Sequence, residues 1–447
     1  MRFLTPRRTI LAIIVAIVCL AFRFAFAVEP TDGGGHGGEV LEVLVALVVI
    51  LLAAKLGGDL FERIHQPAVL GELVMGMIIG NVHLLGWDFF EPFKHDITLE
   101  ILAELGVIIL LFEVGLESTV REMMKVGLAS FMVALFGVIA PFFLGWGVAS
   151  WFLPESSTLV HIFVGATLTA TSVGITARVL KDIGQLQTKE ARIILGAAVI
   201  DDVLGLIILA VVAGIISAAA AGTSDGISSS AVLWIILKAV LFIAGSIVIG
   251  GWVLPRFFKF GLELKAKGVL LSFSLLVCFL MAFIAGKVGL APIVGAFAAG
   301  LILEDIHFKD YENRGELQLK ELLTPIAVFL VPIFFVRMGM LVDLTTFTQV
   351  GILGFATVLT LAAIVSKQVC GLAIFEKGIN RLAIGLGMIP RGEVGLIFAG
   401  IGAKLVLDGE SVIEAGTYSA VVIMVIVTTL VTPPLLKYSL LKTTNVE

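Results

Sequence analysis

Past residue 38 the chain is a succession of apolar runs separated by short polar stretches. Thirteen runs stand out, at about 39–60, 67–82, 98–116, 125–153, 158–180, 191–217, 231–258, 267–287, 290–304, 321–341, 349–375, 380–403 and 412–436. Most approach the roughly 20 residues with which an α-helix crosses a hydrocarbon core about 30 Å thick. Backbone in lipid must satisfy its own hydrogen bonds, so runs of this length predict helices rather than open strands. The second and ninth runs are short. Ahead of them, residues 1–27 carry Arg2, Arg7 and Arg8, an apolar stretch from Ile10 to Phe22, and Ala25-Phe26-Ala27 as an A-x-A site. That order reads as a signal peptide, or as a signal anchor if it is not cleaved. Residues 28–38 then form a Gly-rich extracytoplasmic lead-in. The expected fold class is an all-α polytopic membrane protein with 13 transmembrane helices after a signal-like segment.

Either reading of the first segment delivers the following chain outside, so the odd-numbered runs cross inward. Charge tests that assignment, because Lys and Arg concentrate in cytoplasmic loops. The loops placed inside hold nineteen Lys or Arg, and those placed outside hold three, Lys94, Lys287 and Lys404. The N-terminus is therefore expected outside and the C-terminus in the cytoplasm, in a bacterial inner membrane. Composition agrees: 59% of residues are hydrophobic, 15% are charged and the mean hydropathy is +1.10, far from soluble globular domains. The net charge of −5 says little about partners, and no basic tail or nucleic-acid motif is present. Three cysteines inside apolar runs and six scattered histidines give neither a disulfide framework nor a metal-ligand spacing. No cofactor is expected.

Internal repetition is the next signal. Pro67-Ala-Val-Leu-Gly71, leading to Gly76 and Gly80 in the second run, matches Pro292-Ile-Val-Gly295, leading to Gly300 in the ninth. Phe112-Glu113-Val-Gly115-Leu in the third matches Val336-Arg337-Met-Gly339-Met in the tenth. Both offsets are about 225 residues and seven runs. An odd offset makes the copies cross the membrane in opposite senses, as in transporters built from inverted repeats. Residues 39–217 are the expected first repeat, 218–266 a linker helix and 267–447 the second repeat.

The chemistry centres on Asp201-Asp202, in the middle of an apolar run from Ala191 to Ile216. An ionisable side chain near the bilayer centre costs between about 3 and more than 10 kcal/mol, so a pair of them points to an ion or proton site facing a cavity. The offset pairs the fifth run with the twelfth, and both look interrupted. The fifth holds Gly165-Ala-Thr167-Leu-Thr169-Ala-Thr171-Ser172-Val-Gly174, and the twelfth holds Gly387-Met-Ile-Pro390-Arg391-Gly392-Glu393-Val-Gly395. Hydroxyl residues, glycines and a proline weaken a helix. Matched interruptions in inverted halves point to a midplane site whose freed carbonyls and hydroxyls supply hard oxygen ligands. Lys367, deep in the eleventh run, either snorkels to the inner interface or pairs with one carboxylate of Asp201-Asp202. Adjacent helix positions point about 100° apart, so the two aspartates need not share a role.

These residues carry a resemblance. Gln66-Pro-Ala-Val-Leu-Gly-Glu-Leu-Val, Phe112-Glu-Val-Gly-Leu-Glu117, Val199-Ile-Asp201-Asp202-Val-Leu-Gly, Leu290-Ala-Pro-Ile-Val-Gly-Ala-Phe and Pro390-Arg-Gly-Glu-Val-Gly-Leu together resemble the monovalent cation:proton antiporter-2 family, especially its sodium/proton antiporters of the NapA type. The resemblance implies an inverted-repeat fold with two crossed, unwound helices, whose core domain moves elevator-like against a dimerising scaffold. It implies that Asp202 binds a monovalent cation or a proton, that Asp201 partners Lys367, and that Thr171 and Ser172 lie in the unwound stretch beside the site. The related glutathione-gated potassium efflux proteins carry Gln in place of Asp201 and add a cytosolic nucleotide-binding domain, two points on which this chain departs from them.

The expected function is therefore antiport of Na+ or Li+ against protons by alternating access, electrogenic if Lys367 also releases its proton, in a homodimer serving pH homeostasis. A K+/H+ antiporter, or a K+ efflux system gated by a separate subunit, is the alternative. An intramembrane aspartyl protease needs its two aspartates on different helices, so no enzyme is expected. Glu113 and Arg337 occupy equivalent repeat positions in the scaffold half and read as structural or gating residues. Glu72 and Glu117 read as partly solvated members of interfacial ion pairs. Arg391 and Glu393 are candidates to brace the interrupted twelfth run.

Overall fold

The computed structural model describes residues 37–444, apart from 65, 118–126, 186, 221–228, 265, 304–310, 312–316, 375, 377 and 408. The signal-like segment and nearly all of the Gly-rich lead-in lie outside the described residues. Helices follow the apolar runs: α1 (Gly37–Arg63), α2 (Ala68–Gly80), α3 (Ile97–Glu117), α4 (Leu128–Phe152), α5 (Thr158–Thr167), α6 (Val173–Asp182), α7 (Lys189–Ala220) and α8 (Ser229–Glu263). The second half holds α9 (Val269–Val288), α10 (Pro292–Ile302), α11 (Leu319–Met340), α12 (Val350–Leu372), α13 (Arg381–Gly387), α14 (Glu393–Lys404) and α15 (Ala415–Thr444). A two-stranded hairpin, β1 (Val406–Leu407) and β2 (Glu410–Ser411), turns the chain after α14 with Leu407 opposite Glu410.

Among the described residues eight helices are long and apolar enough to cross a membrane, namely α1, α4, α7, α8, α9, α11, α12 and α15; α2, α5, α10 and α14 are equally apolar but shorter. The protein is thus a mostly helical, integral membrane protein. Local chemistry sets several boundaries. Pro292, whose missing N–H falls where a helix leaves its donors unpaired anyway, opens α10. Gly289 closes α9 at φ 88°, a left-handed conformation that a side chain disfavours. The Asn380 side chain accepts from the Ala383 N–H at 3.0 Å and caps α13.

Two sets of helices pack most closely within themselves. In one, α1 packs on α2, α9 on α10, and α3 and α11 on each other; α2 crosses α11 much as α10 crosses α3. The small residues of the repeated motifs lie at these two crossings. A Cβ on Gly76 or Gly339 would run into the backbone of the facing helix at Val336 and Leu73, and one on Gly115 or Gly300 would meet the backbone at Phe297 and Phe112. Only glycine lets the backbones come that close. In the other set, α4 packs on α12, with α5 and α7 against α4 and with α13 and α15 against α12. This second set holds the aspartates and Lys367.

Candidate functional site

Two breaks in helical structure build the site. After α5 ends at Thr167, the chain makes one more turn, with Leu168 N–H donating to Gly165 O at 3.2 Å and Thr169 N–H to Ala166 O at 3.0 Å. It then leaves the helix until Val173. After α13 ends at Gly387, the chain is non-helical through Ile389, Pro390, Arg391 and Gly392. The two breaks touch: Ser172 N–H donates to Pro390 O at 2.8 Å, and the Thr176 hydroxyl donates to Gly387 O at 2.6 Å. Proline has no N–H and blocks the turn before it, and carbonyls of the non-helical segment accept from groups of the opposite break.

Lys367, on α12, takes one carbonyl from the first break and one from α4. Its Nζ donates to Thr169 O at 3.1 Å and to Gly137 O of α4 at 2.5 Å. It also lies 3.4 Å from Asp201 Oδ1, and both side chains are 0% exposed. A buried ion pair is tolerated only when the remaining hydrogen-bonding capacity is met. The ammonium's three donors all have partners. The carboxylate has the Arg391 guanidinium as a second positive charge nearby, but its Oδ2 has no hydrogen-bond partner among the described residues. Asp202, the next residue of α7, is half-buried where Asp201 is buried, so the adjacent carboxylates occupy different surroundings.

Arg391 is fully buried. Its Nη1 donates to Ala170 O in the opposite break at 2.7 Å. Its own carbonyl accepts from the Thr429 hydroxyl at 2.9 Å, and its N–H donates to Thr428 Oγ1 at 3.4 Å. A guanidinium keeps its charge under all ordinary conditions, so a fixed positive charge stands at the junction of the breaks. Asp201, Lys367, Thr171, Ser172 and Arg391 are therefore brought together. Glu393 opens α14 beside them, though its side chain lies outside what is described.

The other sequence candidates lie elsewhere. Arg337 on α11 donates to Glu100 Oε2 at 3.2 Å and to Lys94 O at 3.3 Å. Glu113 on α3 has Glu117 and Lys320 as charged neighbours. Glu117 pairs with Lys320, both well exposed. Glu72 differs from the partly solvated carboxylate expected of it: it is 7% exposed, and Oε2 finds no hydrogen-bond partner among the described residues.

Several contributors escaped the sequence reading. Gly137, Thr169 and Ala170 act through backbone carbonyls, which carry no residue-type signal. Thr428 and Thr429 on α15 read in the sequence as ordinary hydroxyls in an apolar run. Two cavities lie between the helix sets. One of about 300 Å³ touches Ser172 and Gly392 at the breaks and is bordered by Pro67, Leu70, Phe335 and Thr429. The other, about 480 Å³, lies toward Lys404, Glu104 and Arg337 and meets α7 at Ala213, Gly214 and Ser217.

Comparison with known proteins fits this arrangement. The family model described as "Sodium/hydrogen exchanger, transmembrane" matches residues 43–441. The high-affinity Na(+)/H(+) antiporter NhaS3 of Synechocystis is 40% identical, with 88% of this chain and 89% of that protein aligned. The Na(+)/H(+)-K(+) antiporter GerN of Bacillus cereus is 36% identical over 89% of this chain and 96% of its own length. In fold, the chain resembles the sodium proton antiporter MjNhaP1 of Methanocaldococcus jannaschii, with a TM-score of 0.64 at 15% identity, covering 90% of this chain and 99% of that one. These relatives are transporters and not enzymes. A family match across most of the chain, and relatives this similar over nearly their whole length, make this protein a member of the sodium/hydrogen exchanger family.

Proposed function

We propose that the protein exchanges Na+ or Li+ for protons by alternating access, with Asp202 holding either the cation or a proton and Asp201 tied to Lys367. The observation that carries this reading is the fully buried Asp201–Lys367 pair, 3.4 Å apart, beside a half-buried second carboxylate at the contact of two helix breaks. A buried carboxylate needs a counter-charge. Lys367 serves Asp201, and the half-buried Asp202 beside it is the carboxylate assigned here to the exchanged cation or proton. Competition of cation and proton for one carboxylate couples the two fluxes. Arrival of a cation also adds a charge to the Asp201–Lys367–Arg391 cluster. Release of the Lys367 proton would offset it, giving two protons per cation and electrogenic exchange.

The remaining architecture follows the same reading. The thirteen apolar segments all span the membrane, with α5–α6 and α13–α14 as the crossed, interrupted helices of an inverted repeat. The matching crossings of α2 with α11 and of α10 with α3 support that symmetry. The helices around Asp201 form the mobile core, the glycine-crossed set forms a dimerising scaffold among membrane lipid, and the C-terminus is cytoplasmic in a bacterial inner membrane. In that orientation the cavity at Ser172 and Gly392 opens inward. The other cavity opens outward, and its margin on α7 at Ala213 is eleven residues, about 16 Å, from Asp202.

Purified protein in proteoliposomes tests the assignment. Asp202→Asn should abolish cation-driven proton release while the protein still elutes as a folded species. Normal proton release by that variant would refute the role of Asp202. An exchange rate indifferent to imposed membrane voltage would sink the electrogenic version. The second reading, K+/H+ antiport, draws on GerN, which is named for both Na+ and K+. Comparing Na+, Li+ and K+ as drivers in the same vesicles decides between them.

A further inference from the structure

Lys404, the last residue of α14, reaches out of the core set and grips the other set of helices. Its Nζ lies 2.5 Å from Glu104 Oε1 and 2.8 Å from Glu100 Oε1, both on the first turns of α3. Glu100 in turn binds Arg337 of α11 through its other oxygen at 3.2 Å. Glu104, Lys404, Glu100 and Arg337 thus form one chain of alternating charge that ties α14 to α3 and α11. A neutral bond joins the same two sets nearby, from the Tyr418 hydroxyl on α15 to Met338 O on α11 at 2.9 Å. Glu104, Lys404 and Arg337 also border the 480 Å³ cavity, which the orientation proposed above places at the outer face. At the opposite end, the Lys320–Glu117 pair joins α11 to α3, within a single set.

We propose that Lys404 is an outer latch. Its two ion pairs hold the core against the scaffold in the state seen here, and they must open each time the core moves to expose the site outward. The proposal rests on the alternating-access reading, because two sets that never moved past one another would need no releasable contact. Arg337 is the fixed anchor: at 6% side-chain exposure it holds Glu100 in place, while Lys404 at 38% is wet enough to let go. Ion pairs of this exposure are weak individually, which suits a contact that has to break in every cycle.

Accessibility of the outer cavity tests the latch. Ser217 on α7 is exposed and borders that cavity. A Ser217→Cys variant, with Cys19, Cys278 and Cys370 replaced by alanine, is labelled from outside with a membrane-impermeant maleimide. Lys404→Gln should raise the labelling rate roughly two- to fivefold, the range that partly exposed ion pairs support. The pair Glu100→Gln and Glu104→Gln should do the same by a second route. Combining all three substitutions should add nothing further, because both routes remove one interaction. Lys404→Arg, which keeps the charge, should label like the parent. Unchanged labelling in both the Lys404→Gln and the double-glutamine variants, or effects that simply add, would overturn the latch. Failure of the antiport reading itself would show separately, as absent cation-driven proton flux in the unmodified protein, whatever the labelling result.

Discussion

Removing Lys367 should expose how the buried cluster is held together. In Lys367→Ala, Asp201 loses its counter-charge at a position with 0% exposure, and losing one partner of a buried pair costs about 3–5 kcal/mol. The same substitution leaves the carbonyls of Gly137 and Thr169, which accept from Nζ at 2.5 and 3.1 Å, without a donor. An orphaned buried acceptor adds about 1–3 kcal/mol. Asp201→Asn keeps those two bonds and should be the milder single change. In the double variant Asp201→Asn with Lys367→Met, both charges leave together. The ionic part of the loss should then vanish, and only the carbonyl part should remain. Thermal unfolding of the detergent-solubilised protein, followed by tryptophan fluorescence, gives the order: parent highest, double variant and Asp201→Asn between, Lys367→Ala lowest. A double-mutant cycle closed with the single variant Lys367→Met should return a coupling of about 1–3 kcal/mol. Strict additivity, or a Lys367→Ala protein as stable as the parent, would refute the account of Asp201 and Lys367 as a mutually dependent buried pair.

Two further expectations concern packing and surface charge. Gly115→Ala and Gly339→Ala place a methyl against the backbone of the facing helix and should each cost about 1–3 kcal/mol, whereas Gly147→Ala, inside α4 with nothing within 4 Å of the added carbon, should leave the unfolding temperature the same or slightly higher, because alanine favours a helix interior over glycine. Lys320→Ala should shift stability by less than about 1 kcal/mol, because Lys320 and Glu117 are 69% and 59% exposed and solvent screens them.

Asp201-Asp202 and Lys367 stand out in the sequence because charge inside an apolar run is rare enough to need a cause, and that scarcity is a property of composition. The positions of the helices were equally legible, since apolar runs of membrane length have few other ways to satisfy their backbone. The interruptions after Thr167 and Gly387 could be placed from hydroxyls, glycines and Pro390. Which atoms would meet there could not. The donors to Pro390 O, Thr169 O and Ala170 O come from residues 198 to 221 positions away, and a carbonyl oxygen is the same atom whatever its side chain. Arg337 shows the limit from the other side: the repeat aligned it with Glu113, but its partner, Glu100, comes from a different turn of α3 and carries no matching motif.

What the sequence determined by itself was therefore the membrane class, the run of helices and the small group of charged residues that chemistry would have to account for. Each of these depends on the solvent around the chain and on local backbone preference, which act residue by residue. Only the tertiary structure decided that Lys367 stands against Asp201 and not at the interface, that Arg391 reaches the opposite break, and that Lys404 bridges to Glu100 and Glu104. Those pairings depend on where helices far apart in the chain come to lie, and the close approach of backbones at Gly76, Gly115, Gly300 and Gly339 sets that placement.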